Sequence, residues 1–382
     1  MDLRLTEDQL MFKKMFADFC TKEIRPKGEQ IDQGEAPPVD LLNKAVDQGF
    51  WAALVPESQD GAGLDTYTYM LMLEELARAD LSTAFTLNVH NSLVVKPLLD
   101  FGTRDQKDRY LPALAFGEML GAFALGEAGA GSDVDALQAT AEKKDGGYVL
   151  RGTKTWVFNG DLAGLFLVFA RAEAGITAFL VEKETPGLKV GYREKTLGLR
   201  GVTCNTLYLD NAYVPAENRV CEEGQGFSIL PAATSLSRLG VAALSLGASE
   251  RAIEEAVKFS MEHIQFNVPI AQKQAIQNYV ADAQVLVEAL RCLVTQTAWL
   301  ADSGQDFAHQ ASIAKLFGAR AAGEVTDNMV QVHGGYGYMK DYAIERYYRD
   351  CRALAIVDGT NQIQQHLIAR DVYKKEGLDI RP

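Results

Sequence analysis

The sequence predicts an α+β fold in three parts: an N-terminal helical domain (1–118), a central β-domain that is a small barrel or sandwich (119–230), and a C-terminal helical bundle (231–382). Three observations predict it. Apolar residues recur at helical spacing up to about residue 118. Short β-branched and aromatic runs, broken by Gly, Asn, Asp and Pro, then fill 119–230, and from 231 the chain returns to long Ala-rich stretches. A length of 382 residues suits two or three domains.

In the first part Thr6 and Gln9 form a capping box, with Leu5 and Leu10 placed as a staple, and Phe12, Met15, Phe16 and Phe19 follow on one face. "YTYMLMLEELARAD" and "NSLVVKPLLDFG" continue the helical spacing, punctuated by Pro26, Pro37, Pro38 and the loop "PESQDGAGLD". The strand candidates are "YVLRG", "TKTWVF", "LFLVFARA", "TAFLVE" and "NTLYLDNAYVP", with a hairpin signal in "KKDGGYVLRG". The C-terminal helices carry small residues, as in "LGVAALSLGASERAIEEAVKFSMEH", which suits close bundle packing or a subunit interface.

Composition narrows the function. A net charge of −13, from 38 basic and 51 acidic residues, argues against a nucleic-acid surface and an anionic membrane. No run of ~20 apolar residues suggests membrane insertion, and the acidic, helix-starting N-terminus is unlike a signal peptide, so a cytoplasmic location is expected. Cys20, Cys204, Cys221, Cys292 and Cys351 are scattered and without CxxC spacing, as expected of reduced thiols. HExxH, GxSxG and GxxxxGK[ST] are all absent, so no metal site is expected, and triad hydrolysis and Walker-type phosphoryl transfer lose their usual support.

The chemistry-bearing stretch is "AIVDGTNQIQ" (355–364). By itself Asp358-Gly359 reads as a turn, because Gly accepts φ > 0 and Asp bonds its own backbone. A lone Trp reads as core and a lone Gly as a turn. Five motifs taken together read otherwise. "LGEAGAGSD" (125–133), "GTKTWVFNG" (152–160), "GLRGVTCNTLYLDNAYVPAENRV", "GQGF" (224–227) and "QVHGGYGYMKDYAIERYYRDCRALAIVDGTNQIQ" occur in one order along the chain. In that order the sequence resembles the acyl-CoA dehydrogenases, flavoproteins that introduce a double bond between Cα and Cβ of an acyl-CoA.

The resemblance implies a C-terminal four-helix bundle, FAD as cofactor and an acyl-CoA substrate. Asp358 stands where the family usually carries the Glu that takes the α-proton, while the β-hydrogen leaves as hydride to flavin N5. The Asp358 N–H and a flavin ribityl hydroxyl would form a small oxyanion hole. Relatives with the base on a bundle helix place it one residue before an Arg; here that pair is Ser237 and Arg238, so no carboxylate competes. The resemblance further implies that "FALG" (Phe123 to Gly126, with Leu125) lines the isoalloxazine edge and that Trp156 packs over the ring. Ser132 would meet a flavin phosphate or the CoA end. Thr360 and Gln362, with Gln331, Gly334 and Gly335, would contact the ADP half, some across a subunit boundary. Asn91, Arg238, Asp358 and Gly359 would face the substrate. Electron-transferring flavoprotein as acceptor and a homotetramer are also implied.

Departures from the family pattern matter as much. Gly126 and Phe158 replace residues whose hydroxyls would touch flavin O2 and N5. In "HIQFN" His263 replaces an Arg that meets the pyrophosphate and lacks its bidentate grip, while Phe266 and Gln274 match. Asp is one methylene shorter than Glu, ~1.5 Å of bond, so substrate or backbone must sit closer. An Asp base resembles the dehydrogenases of cyclohexanecarboxyl-CoA and cyclohexenecarboxyl-CoA, whose ring at Cα needs room; a short or branched linear acyl-CoA is the alternative. Asn91, where a second acid would allow 1,4-dehydrogenation, points to α,β-chemistry. Two other classes stay open: a nitroalkane-oxidase-like flavin oxidase, and a non-catalytic flavoprotein.

Overall fold

The computed structural model describes residues 4–34 and 39–380, so Pro37 and Pro38 lie outside the described residues. The chain folds as helices, then one sheet, then helices. Thr6 and Gln9 close the capping box at the start of α1 (Glu7–Phe19), each side chain bonding the other's N–H, and Phe16 is buried. Pro26 does not break the chain: a π-turn at Cys20–Ile24 passes into a 3-10 turn at Arg25–Lys27, where a Pro near the start loses no needed N–H. Then come α2 (Gly28–Asp32), α3 (Val39–Asp47), α4 (Thr66–Ala79), α5 (Leu81–His90), α6 (Lys96–Phe101) and α7 (Arg104–Ala115). Asp65 and Asp80 cap α4 and α5, and Thr103 with Gln106 repeats the capping box at α7.

Eight strands form one mixed sheet: β1 (Leu120–Ala124), β2 (Thr140–Lys144), β3 (Gly147–Phe158), β4 (Ala163–Ala172), β5 (Gly175–Glu182), β6 (Leu188–Arg193), β7 (Cys204–Pro215) and β8 (Arg219–Val220). The path runs β6-β7-β3-β2-β4-β5-β8, and β1 joins parallel to β4. The expected hairpin is β2–β3, turned by Asp145 and Gly146, both at positive φ (48° and 79°), as the favoured two-residue turn requires. Most of β4 and β5 is buried on both faces, which is why they read as continuous apolar runs.

The C-terminal part comprises α8 (Gly226–Glu262), a small hairpin of β9 (Ile264–Gln265) and β10 (Val268–Pro269), α9 (Gln274–Asp302), α10 (Ala308–His333), α11 (Ile344–Leu354) and α12 (Asn361–Lys375). Helix α8 is long and apolar enough by composition to cross a membrane, yet 72% of its most apolar window is buried inside the protein. Its small residues let neighbours approach: a Cβ on Gly247 would lie 2.1 Å from the Glu74 carbonyl of α4. Residues of α1, α4 and α5 share one apolar core with α8, α9 and α10, while the sheet and α7 enclose a second. The N- and C-terminal helices thus form one packed body, with α5 lying between the bundle and the end of β3.

Candidate active site

The turn after α11 brings Asp358 to the Ser237 turn of α8. Asp358 takes φ +54°, a left-handed conformation that Asp tolerates better than most residues, followed by Gly359 at +87°. Three side chains hold its backbone. Arg238 Nε donates to the Asp358 carbonyl at 3.1 Å, Gln364 Nε2 donates to the carbonyls of Asp358 and Gly359 at 3.1 Å each, and Lys315 Nζ donates to the Gly359 carbonyl at 2.9 Å. With both carbonyls spent, the Asp358 N–H donates to no protein acceptor among the described residues. Thr360 caps α12 through the Ile363 N–H at 3.3 Å, and Gln362 is exposed.

The Asp358 carboxyl is held apart from this carbonyl clamp. Ser237 donates to Oδ2 at 2.5 Å, and Asn88 Nδ2 donates to Ser237 Oγ at 3.1 Å. Burial pushes the carboxyl above its ordinary range, more strongly than the Ser237 bond and the charges of Lys315 and Arg238 pull it down. Burial in turn brings the Lys315 ammonium down to about 8. A carboxyl whose proton affinity is raised in this way is a stronger general base than a free one.

Strand β3 carries a second set of the sequence candidates. Its pairing with β7 gains one extra residue between Lys154 and Val157, and this bulge carries Trp156 at φ +55° with 55% of its surface exposed. A bulky residue rarely takes that conformation, which here the bulge imposes. Beneath it, fully buried Lys154 donates to Glu127 at 2.7 Å and to the Leu125 carbonyl at 3.0 Å. Glu127 also accepts the N–H groups of Gln138 and Ala139, which ties both ends of the 125–139 loop to β3. The Thr155 N–H bonds the Gly126 carbonyl at 3.0 Å, and a Cβ on Gly126 would meet only the Thr155 carbonyl, at 3.6 Å. Phe123 and Leu125 are partly buried, while Ser132 is exposed. Phe158 packs edge-on against Phe85 of α5, centroids 5.0 Å apart, and Asn159 donates to the carbonyls of Thr86 and Gly121.

An exposed indole beside a Cβ-free backbone edge, with the Thr155 hydroxyl buried and unpaired, fits a flat heterocycle with polar edges. Helix α5 touches both regions, since Phe85 and Thr86 meet β3 and Asn88 meets the Asp358 support. Asn91 is fully buried and spends its amide on the carbonyls of Phe50 and Leu87; its Oδ1 has no partner.

The remaining sequence candidates lie elsewhere. His263, Gly334 and Gly335 line an open cleft of about 550 Å³ with His333 and Tyr336, and His263 stacks on Phe259 at 5.0 Å. Phe266, 85% exposed, sits with Asn267 at the tip of the β9–β10 hairpin, both at positive φ; Gln274 and Gln331 are exposed. Twenty-six residues of α8 and its C-cap separate His263 from Ser237, about 39 Å at 1.5 Å per residue. One chain does not bring this second group to Asp358.

Sequence reasoning missed Lys154, Glu127, Asn88, Lys315 and Gln364. Lys154, Glu127 and Gln364 stand inside quoted motifs, which was their signal. Lys315 is a single Lys in an Ala-rich helix, and Asn88 one of several polar residues in α5; neither carried any.

Three family profiles match the chain: Acyl-CoA dehydrogenase, N-terminal domain (6–118), middle domain (122–212) and C-terminal domain (224–373). Similar curated proteins include an acyl-CoA dehydrogenase of Bacillus subtilis, 41% identical over 96% of this chain and 98% of that protein. The acryloyl-CoA reductase (NADH) of Anaerotignum propionicum is 38% identical, over 98% and 97%. Subunit CarC of the caffeyl-CoA reductase-Etf complex of Acetobacterium woodii is 35% identical, over 97% and 99%. Among solved structures, butyryl-CoA dehydrogenase from Megasphaera elsdenii superposes with a TM-score of 0.95 at 36% identity, covering 98% of this chain and all of that one. A chain from a structural study of the electron transferring flavoprotein of Acidaminococcus fermentans gives 0.95 at 39% identity, over 97% and 99%. The FAD complex of an acyl-CoA dehydrogenase from Bacillus anthracis gives 0.94 at 33%, over 98% and 68%.

Proposed function

Because the chain belongs to the acyl-CoA dehydrogenase family and is an FAD-dependent oxidoreductase, we propose that it dehydrogenates an acyl-CoA thioester between Cα and Cβ, with Asp358 as the base. The observation that carries this reading is the Asp358 carboxyl, lifted by burial and aimed by a 2.5 Å bond from Ser237. The α-proton of a thioester is weakly acidic, so a base with raised pKa is the better acceptor. The uncommitted Asp358 N–H, on a turn clamped by Arg238, Gln364 and Lys315, is available to the thioester oxygen as negative charge builds there. Trp156 and the Phe123 to Gly126 edge would hold the flavin ring, with Phe158 beside it. When bound, FAD supplies the acceptor for the β-hydrogen, which leaves as hydride to N5. His263, Phe266, Gln274, Gln331, Gly334 and Gly335 would hold the dinucleotide of a neighbouring chain in a homotetramer.

The acyl group proposed is alicyclic, such as cyclohexanecarboxyl, because a shorter base leaves space at a substituted Cα. The names of several relatives favour a second reading, a short linear acyl or enoyl group. For the electron acceptor we take an electron-transferring flavoprotein, the class named with two of the similar proteins. The five unpaired cysteines suit a reducing, cytoplasmic location. Anaerobic titration of the flavin-loaded protein with cyclohexanecarboxyl-CoA, cyclohexenecarboxyl-CoA, butyryl-CoA and isovaleryl-CoA tests base and substrate together. Bleaching of the flavin by cyclohexanecarboxyl-CoA is expected, with a loss of at least ~10³-fold in rate in Asp358→Asn. Bleaching by butyryl-CoA alone would select the second reading. No bleaching by any thioester, with peroxide formed from nitroethane, would replace the reading with a flavin oxidase.

A further inference from the structure

We propose that Ser237 is a positioning residue for the base: its hydroxyl fixes which way the Asp358 carboxylate points and holds it ionised, and Asn88 fixes the hydroxyl. The inference rests on the reading of Asp358 as base and adds residues that act only through it.

The hydrogen bonds around Ser237 set the direction of its hydroxyl proton toward the carboxylate. The Ser237 carbonyl, which can only accept, lies 3.3 Å from the Asn88 amide, so the amide nitrogen faces Ser237, while Oδ1 accepts from Ser92 Oγ at 2.9 Å and lies 3.5 Å from the Tyr69 hydroxyl. That nitrogen donates to Ser237 Oγ at 3.1 Å and to the Ser237 carbonyl at 3.3 Å. With a lone pair of Oγ taken, the Ser237 proton is free to go to Asp358 Oδ2 at 2.5 Å. Tyr69, Asn88, Ser92 and Ser237 are fully buried. An amide does not pass a proton on, so the chain Tyr69, Ser92, Asn88, Ser237 is a fixed support rather than a proton wire. Sterics enforce it: a Cβ on Gly240, one turn after Ser237, would lie 2.1 Å from Asn88 Oδ1, so only Gly lets Asn88 reach α8.

Every charged group facing Asp358 has another anchor. Arg238 of α8 spends Nε on the Asp358 carbonyl, and Lys315 of α10 bonds the Gly359 carbonyl and Asn361 Oδ1. Among the described residues only Ser237 bonds the Asp358 carboxyl oxygens. Aspartate, one methylene short of glutamate, has less reach with which to correct a wrong rotamer. The hydroxyl therefore favours the carboxylate over the acid and selects its orientation.

The test compares Ser237→Ala, Ser237→Thr, Ser237→Cys and Asp358→Asn in the flavin-loaded protein. The substrate is cyclohexanecarboxyl-CoA or butyryl-CoA, whichever bleaches the flavin faster. Ser237→Ala should move the acidic limb of the rate profile up by roughly one pH unit and lower kcat by roughly tenfold with KM unchanged. Thr should restore both. Cys, a weak donor of similar shape, should shift the limb in the same direction and covers the case in which Ala does not fold. A second readout needs no turnover: the carboxyl C=O infrared band, taken as wild type minus Asp358→Asn, should titrate at higher pH in Ser237→Ala. An unmoved limb and infrared titration, with Asp358→Asn inactive, would overturn the role of Ser237 and leave the base intact. A fully active Asp358→Asn would overturn the base, and the infrared titration would still decide whether Ser237 holds the carboxyl.

Discussion

Lys154 has no exposed surface, and burial pulls its ammonium down to about 8. It stays paired because Glu127 and the Leu125 carbonyl surround it. Lys154→Met should leave Glu127 charged, buried and short of a partner, costing about 3 kcal/mol of stability. It should also loosen the 125–139 loop, so urea unfolding should report the loss and dialysis should strip flavin faster than from the wild type. Unchanged unfolding would show that the pair is dispensable. This scale was only partly legible from sequence. Asp358 and Trp156 were singled out because their motifs occur together, whereas Ser237 was read only as a missing carboxylate. Its donor role depends on Asn88, 149 positions away, which no local pattern reports.

At the scale of elements, the segment between β6 and β7 shows how one loop fastens three parts of the fold. The Leu199 N–H donates to Asp350 of α11 at 2.6 Å, the Gly201 N–H donates to Ser82 of α5 at 3.2 Å, and Arg349 holds both the Leu197 carbonyl and Asp32. A Cβ on Gly198 would sit 2.4 Å from the Arg349 backbone, so the close approach requires glycine. Burial lifts the Asp350 carboxyl from 3.8 to about 7, with the nearby Asp80 and Asp32 adding to it. A folded pKa above the unfolded one means that the native state binds the extra proton. Stability from Asp350 is therefore complete below about pH 4 and falls as pH rises through 7. Asp350→Asn keeps an acceptor for Leu199 and cannot ionise. Melting temperatures at pH 5 to 8 should decline less steeply in the variant, which should also be the more stable protein at pH 8. Parallel declines would remove Asp350 from the account.

Across the whole molecule, the residues matched to the cofactor fall into two groups, one at Asp358 and β3, the other at the far end of α8 and α10. The ~39 Å of helix between His263 and Ser237 sets them apart. Large apolar side chains stay exposed near the second group, with Phe266 at 85%, Tyr338 at 82% and Tyr336 at 51%. Cofactor sites shared between chains would use both groups at once. Sedimentation should give a particle of four 41.8 kDa chains, and Phe266→Asp should release flavin along with subunits. A monomer that keeps its flavin would refute the shared site.

The sequence by itself determined the helix, sheet, helix order, the Thr6–Gln9 capping box, the β2–β3 turn and the motif positions, because each depends on residues within a few positions of one another. It did not determine that Pro26 would sit inside a helical run, that a bulge would turn Trp156 outward, or that Lys315, Arg238 and Gln364 would clamp two carbonyls. Those features were decided by tertiary structure. Burying a charge or an amide is unfavourable until partners from distant segments arrive together, and only the folded chain says which partners those are.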